Sequence, residues 1–342
     1  MKKVLSLLFF AFYSCYIVIA ENNIKIAVYY FDGWAGINQN TTDKVSFPSH
    51  LNNKLKNEYG GRMPLWGWRD DTIEIMEKQI NLASENGIDY FVFCWYWKED
   101  LGPMDIFSIE SQSLHTSIEL FRKAKNKGKM KYFFLVANHK GHRIIGEDNW
   151  CSLFEYLNNK YFQDKEYLKI EGKPVVSIFL GNYILQYLPS IRERIMQKTG
   201  NNLFVISCNC TSNNFNLNTW YNNTFENLEY NCHKSFSSLS HRTESIWYNQ
   251  PTTINVAPMC MSGWDKRPWF EQENFIYYSR PTGYEFYTHL LNAKEFISVR
   301  KEKYPIIFIY AWNEYGEGGY LTPTINDQNG ILLKQIKKIK YE

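Results

Sequence analysis

From residue 24 onward, short apolar runs alternate with amphipathic runs of helical period, and no low-complexity tract or Ser/Pro-rich linker interrupts them. This alternation constrains the fold more than any other feature. Strands that follow one another through helices must lie parallel, and parallel strands bury both faces. The spacing predicts strands at Ile24–Phe31, Ile88–Trp97, Lys131–His139, Pro174–Leu180, Leu203–Cys210, Thr253–Met261 and Ile306–Tyr310, with a short further strand near Leu228–Cys232. Helices are predicted from a cap at Asp70 or Asp71 through Ile73, Met76, Ile80 and Ala83, then over His115–Lys127, Trp150–Lys160, Tyr183–Lys198, Tyr284–Lys301 and Ile331–Ile339. A polar loop runs from the first strand to about Asp70, and the region Thr211–Gln250 is the least legible. Eight such units in one domain imply a closed (β/α)8 TIM barrel spanning 21–342, whose strands all open onto one mouth.

The residues expected at that mouth are therefore the ones that end the strands. They are Asp32 and Trp34, Trp95 and Trp97, Asn138 and His139, Trp264, Asp265 and Arg267, and finally Trp312, Asn313, Glu314 and Glu317. Carboxylates, amides and indoles on one rim suit a sugar, whose hydroxyls need polar partners and whose C–H faces need aromatic platforms. Glu314 and Glu317 sit three positions apart in a glycine-loosened stretch, Pro305–Gly319. Cleaving a glycosidic bond takes two carboxyl groups, and two that lie close in an apolar setting split their pKa values. The neighbours have duller readings too. Trp95 and Trp97 share one strand parity, so they either reach the cleft or pack outside it. Asp32 either caps a loop or meets substrate, and Asp265 and Arg267 either bind sugar or brace the rim by pairing.

Composition narrows the function classes. Aromatic residues make up 17% of the chain, a surplus that a sugar cleft or a large core can absorb. The net charge of +3 comes without a dense basic patch, which argues against a nucleic-acid partner. The first twenty residues read as a signal peptide: Lys2 and Lys3, a charge-free apolar run from Val4 to Ile19, and a cleavage point after Ala20. The domain is thus expected to be exported, periplasmic or extracellular. A membrane is contacted only through an uncleaved leader or a lipid on Cys15. Six cysteines remain beyond the leader, in no metal-binding or redox spacing, as buried thiols or an incidental disulfide.

W-N-E-Y-G-E-G (Trp312–Gly318) resembles the W-N-E-W-x-E-G signature of glycoside hydrolase family 99 and the related WbsX-type proteins. G-I-D-Y-F-V-F-C-W-Y-W (Gly87–Trp97), V-A-N-H (Val136–His139), Y-F-Q-D-K-E-Y-L-K-I-E-G-K-P (Tyr161–Pro174) and G-W-D-K-R-P (Gly263–Pro268) resemble WbsX landmarks in the same order. The resemblance implies a (β/α)8 fold and endo-acting cleavage of α-mannosidic links with retention. It implies that Glu314 acts as base on the sugar 2-hydroxyl and Glu317 as general acid. It implies no metal and no organic cofactor, and a monomer acting on a polysaccharide or oligosaccharide. The chain departs from the pattern at Tyr315, at A-N-H-K-G (Ala137–Gly141) and at Y-Y-F-D-G-W (Tyr29–Trp34), which leaves the sugar open. Two other classes compete: a WbsX-type glycosyltransferase of surface-polysaccharide synthesis, and a carbohydrate-binding barrel without catalysis. The leader, and the lack of a Gly-rich phosphate loop or D-x-D motif, argue against the transferase; retention of both glutamates argues against the second.

Overall fold

A computed structural model describes residues 24–36, 48–97, 99, 102–220, 232–269 and 276–342. The expected leader and most of the expected strand at Leu228–Cys232 lie outside the described residues. Eight parallel strands form the sheet: β1 (Lys25–Tyr30), β2 (Tyr90–Trp95), β3 (Lys131–Val136), β4 (Lys173–Phe179), β5 (Phe204–Cys208), β6 (Leu217–Thr219), β7 (Met259–Met261) and β8 (Ile306–Tyr310). They are joined in the order β6-β5-β4-β3-β2-β1-β8-β7. The remaining seam is bridged in parallel by Asn218 of β6 and Val256, just before β7. There Asn218 N–H donates to Asn255 O at 3.0 Å and Ala257 N–H to Asn218 O at 2.9 Å. The result is a nearly closed (β/α)8 barrel in one domain, as the alternation requires.

The wall is lined on both faces, because strand residues alternate between inside and outside. Inward-facing Tyr29, Phe133 and Phe308 meet across the lumen, with Phe308 centred 5.7 Å from Tyr29 and 6.2 Å from Phe133. Outward-facing Phe91 and Phe93 pack against Phe121. Helices α1 (Ile73–Glu85), α2 (Thr116–Lys123), α3 (Glu147–Lys160), α4 (Leu188–Thr199), α5 (Phe236–Tyr248), α6 (Gly283–Arg300) and α7 (Ile331–Tyr341) cover that outer face.

Several boundaries differ from expectation, each for a local reason. α1 is capped by Thr72, whose hydroxyl accepts Ile75 N–H at 3.3 Å. Asp70 and Asp71 turn inward instead, to Tyr30 O–H and Gly36 N–H. α2 stops at Lys123 because Ala124 is already extended. α4 begins at Leu188, since Pro189 is tolerated only in a first turn. The sixth strand is Leu217–Thr219, and α5, capped by Ser235, occupies the stretch that the sequence left obscure.

Candidate active site

β8 carries Tyr310 to the mouth, and the chain then doubles back. Asn313 and Glu314 pair antiparallel with Tyr320 and Gly319, around a single turn of 3-10 helix at Tyr315–Glu317. This hairpin brings Glu314 and Glu317 into one place. The Tyr310 hydroxyl donates to Glu317 Oε2, and Lys266 Nζ lies 3.1 Å from Glu317 Oε1. Lys266 also sits 4.4 Å above the Trp264 ring. Glu314 has no such partners: its Oε2 is buried with no hydrogen bond among the described residues. Burial, and then the charge of Glu317, push the Glu314 carboxyl well above the usual carboxylate range, against the opposing pull of Lys266. Burial therefore favours the protonated form of Glu314, and Glu317 is the ion-paired member. Neither role the resemblance implies can act from that arrangement without moving the proton.

Other groups feel these charges. Glu314 acts on the Cys94 thiol and the Tyr96 phenol, both pushed up first by burial, and Glu317 acts on His139. Tyr96 meets His142 edge-on at 5.0 Å, and His142 lies 5.0 Å from His139. His139 Nδ1–H donates to Lys140 O at 3.1 Å and His142 Nδ1–H to Trp97 O at 2.7 Å, since a carbonyl can only accept. Each Nε2 is left to accept from a hydroxyl. Burial lowers the His139 pKa and, helped by His142, takes that of His50 down to about 4, so both are neutral near pH 7. His50 packs against Phe31 and against Trp269, a half-buried indole. Trp269 lies on Gly316, between the two glutamates: a Cβ there would fall 2.1 Å from the indole.

The remaining expected site residues sit behind this surface. Trp95 is fully buried outside the wall, stacked on His115 at 5.2 Å, and Trp97 is buried in the main core. This corrects the expectation that they reach the cleft: the inward parity at this strand end belongs to Cys94 and Tyr96. Trp312 is buried too, its indole N–H donating to Gln79 Oε1 at 2.6 Å beside α1. Trp34 is enclosed and donates to Asn313 O at 2.8 Å. Asn313 clasps the Phe31 backbone through both ends of its amide, and Asn138 Oδ1 accepts Ile144 N–H at 2.9 Å, shaping the loop that holds both histidines. Asp265 is clamped by Arg62 and by Arg267, the latter at 2.8 Å, so these residues brace the rim. The residues that sequence reasoning missed are Lys266, Tyr310, His142, His50 and Trp269. Lys266 was legible as the alternate position between Asp265 and Arg267, while His50 and Trp269 arrive from loops without periodicity.

Asp32 also lies beneath the mouth. It accepts Ser117 N–H at 2.8 Å and Ser117 O–H at 2.7 Å, tying β1 to α2. Burial pushes its pKa up to about 7, with the Ser117 bonds opposing the rise. Between about pH 4 and 7 the unfolded chain has released this proton and the native one has not. Stability must then fall as pH rises, at about 1.4 kcal/mol per unit at most for one group. Asp70 and Glu314, raised in the same direction, add to the loss. Asp265 does not confuse this window: burial works against it, but Arg267 and Arg62 hold its pKa below the ordinary value, so its contribution changes at lower pH. His50 and His115, whose pKa values burial lowers to about 4, and His139, lowered in the same direction, oppose this slope below about pH 6.5. The carboxyl is therefore read from the difference: the urea midpoint of the wild type relative to Asp32→Asn is expected to decline from pH 4.5 to 7.5. A difference that does not change with pH would contradict the buried protonated Asp32.

The comparisons with known proteins agree on the fold. A sequence model of the family described as Glycosyltransferase WbsX matches residues 46–334. The GH99 endo-alpha-mannosidase of Bacteroides thetaiotaomicron, in complex with bis-tris-propane, superposes with a TM-score of 0.63 at 14% identity, over 92% of this chain and 96% of that one. A second structure of that enzyme gives 0.62 at 14% identity, over 92% and 97%. A glycoside hydrolase-like protein gives 0.60 at 14% identity, over 93% and 94%. No functionally curated protein matches the chain. Among the described residues no helix is long and apolar enough to cross a membrane, and the six cysteines are free thiols.

Proposed function

The chain belongs to the WbsX family, and from that premise we propose that it is an exported glycoside hydrolase that cleaves an α-mannosidic or related link within a glycan, with retention, by means of Glu314 and Glu317. The observation that carries the reading is the hairpin after β8, which holds one carboxyl with a buried, unpartnered oxygen beside one ion-paired carboxyl. Such a pair takes up and releases protons together. The likeness of its fold to the mannosidase supports the class, and the W-N-E-Y-G-E-G residues support the choice of glutamates.

The chemistry follows from a single shared proton. A sugar whose 2-hydroxyl donates to Glu314 stabilises that group as a carboxylate. A glycosidic oxygen that accepts from Glu317 stabilises that group as the acid. Binding thereby selects the proton arrangement opposite to the one that burial favours at Glu314. Glu314 takes the 2-hydroxyl proton as the oxygen closes on the anomeric carbon, and Glu317 gives its proton to the departing oxygen. Water then opens the anhydro-sugar, the proton transfers run in reverse, and the configuration is retained. Lys266 and the Tyr310 hydroxyl keep Glu317 in position, and the neutral histidines accept from sugar hydroxyls.

A panel of neutral and acidic polysaccharides, α-mannans among them, tests the reading by the release of reducing ends without added nucleotide. The wild type is expected to release oligosaccharides and Glu317→Gln is not. Equal release by both proteins would remove Glu317 from the chemistry. Turnover only with a nucleotide sugar would favour the transferase that the family name describes. Binding that persists in Glu314→Gln and Glu317→Gln, with no wild-type turnover, would leave a carbohydrate-binding barrel.

A further inference from the structure

A cavity of about 180 Å³ opens beside the glutamate hairpin, with Gly318 and Tyr320 of the hairpin in its wall. Arg62, Arg267 and Arg280 line it with a single carboxylate, Asp265, a surplus of two positive charges from these groups. Asp265 is fully engaged: Arg62 and Arg267 both bond its carboxylate, and its own backbone N–H donates to Glu317 O at 2.6 Å. Arg280 has no carboxylate partner among the described residues. Its guanidinium lies 3.7 Å above the Tyr320 ring, Nη2–H donates to Tyr320 O at 3.0 Å, and Nη1 is buried without any partner. Burial disfavours its charge, yet a guanidinium does not give up its proton in a protein. The site thus holds a fixed cation with an unfilled donor in the wall of a cavity. Arg267 adds a second guanidinium, 3.6 Å above the Tyr277 ring, whose Nη1 has no hydrogen bond among the described residues.

A fixed guanidinium with an unfilled donor fits an oxyanion. We propose that this cavity is a subsite for an anionic substituent, a carboxylate or a sulfate, on a sugar unit next to the one cleaved, with Arg280 and Arg267 as its donors. The inference rests on the glycan-hydrolase reading and names its substrate class: an acidic rather than a neutral glycan. The shared backbone explains the placement, because Gly318 follows Glu317 and Asp265 precedes Lys266. In the proposed arrangement one glycan chain fills the cavity while its neighbouring link lies between the carboxyls.

Binding to the full chain, followed by calorimetry at constant ionic strength, tests this without turnover. The probes are a methyl hexuronoside, a sulfated methyl hexoside, the neutral methyl hexoside and inorganic sulfate. At least one acidic glycoside is expected to bind about tenfold or more tighter than the neutral one. Arg280→Gln is expected to erase that preference, Arg280→Lys to keep part of it, and Glu317→Gln to leave it intact. Equal binding of acidic and neutral glycosides by the wild type overturns the proposal even if Arg280→Gln does not fold. A preference unchanged in a folded Arg280→Gln overturns it as well. Binding of inorganic sulfate alone overturns the sugar-borne assignment in favour of a free anion. If the acidic probe binds and the glycan panel still shows no release, the hydrolase reading fails and the cavity stands as an acidic-sugar binding site alone.

Discussion

Glu317→Gln is expected to lower kcat/KM on an unactivated glycan by about 10²- to 10⁴-fold, the usual contribution of a positioned proton donor. An aryl glycoside with a good leaving group should be spared most of that loss, because its departing oxygen needs no proton. Glu314→Gln should lose activity on both substrates by a similar factor, since without it nothing takes the 2-hydroxyl proton. The double variant should be little worse than either single one, as the two groups work as a unit. Glu314→Gln carries a second signature. Its carboxyl is buried, unpartnered and raised well above the ordinary range, so deprotonating it costs the fold stability as pH rises. The amide has no proton to lose, and the variant should gain stability relative to wild type at pH 8 and little at pH 5. A loss of activity that is equal on both substrates in Glu317→Gln would transfer the acid role elsewhere.

Gly263→Ala should cost about 10²-fold in kcat although residue 263 carries no reacting group. Gly263 adopts φ +153°, and a Cβ there would stand 2.3 Å from the Gly318 carbonyl oxygen. That contact is backbone against backbone, so no flexible side chain can relieve it. Either the Gly263–Lys266 segment or the hairpin must move, and the first carries Lys266 while the second carries Glu317. A displacement of about 1 Å at a reacting group suffices for a loss of that size. The strained backbone adds roughly 1–3 kcal/mol of destabilisation. The diagnostic pattern is a folded, slightly less stable protein whose kcat falls further than its KM changes. An unchanged kcat would show that the spacing between these segments does not set the position of Glu317.

The barrel was legible because its units are long and periodic, and because Ile306–Tyr310 can hardly be anything but a buried strand. The glutamate-bearing stretch was legible because glycines and carboxylates follow that strand directly, but its return as a hairpin was not. What failed to read was parity. At the end of β2, aromatic residues occupy successive positions, and composition cannot tell which face holds Tyr96 and which holds Trp95. The indoles were the more tempting sugar platforms, yet Trp34, Trp95 and Trp312 are all enclosed, and a half-buried indole at the mouth is Trp269, from a loop. The sixth strand escaped because Leu217-Asn218-Thr219 is short and mostly polar. It completes the wall through backbone bonds, to Asn255 and from Ala257, that leave no hydrophobic pattern. Lys266 was hidden by its neighbours, whose mutual pairing was the more obvious chemistry.

The shared proton is best tested by infrared difference spectroscopy of the substrate-free protein, wild type minus Glu314→Gln, across pH 4 to 9. A protonated-carboxyl band that persists at pH 7 in this difference, and that shifts its titration when Lys266 is replaced by methionine, is the predicted result. A difference spectrum showing Glu314 already ionised at pH 5 would contradict it.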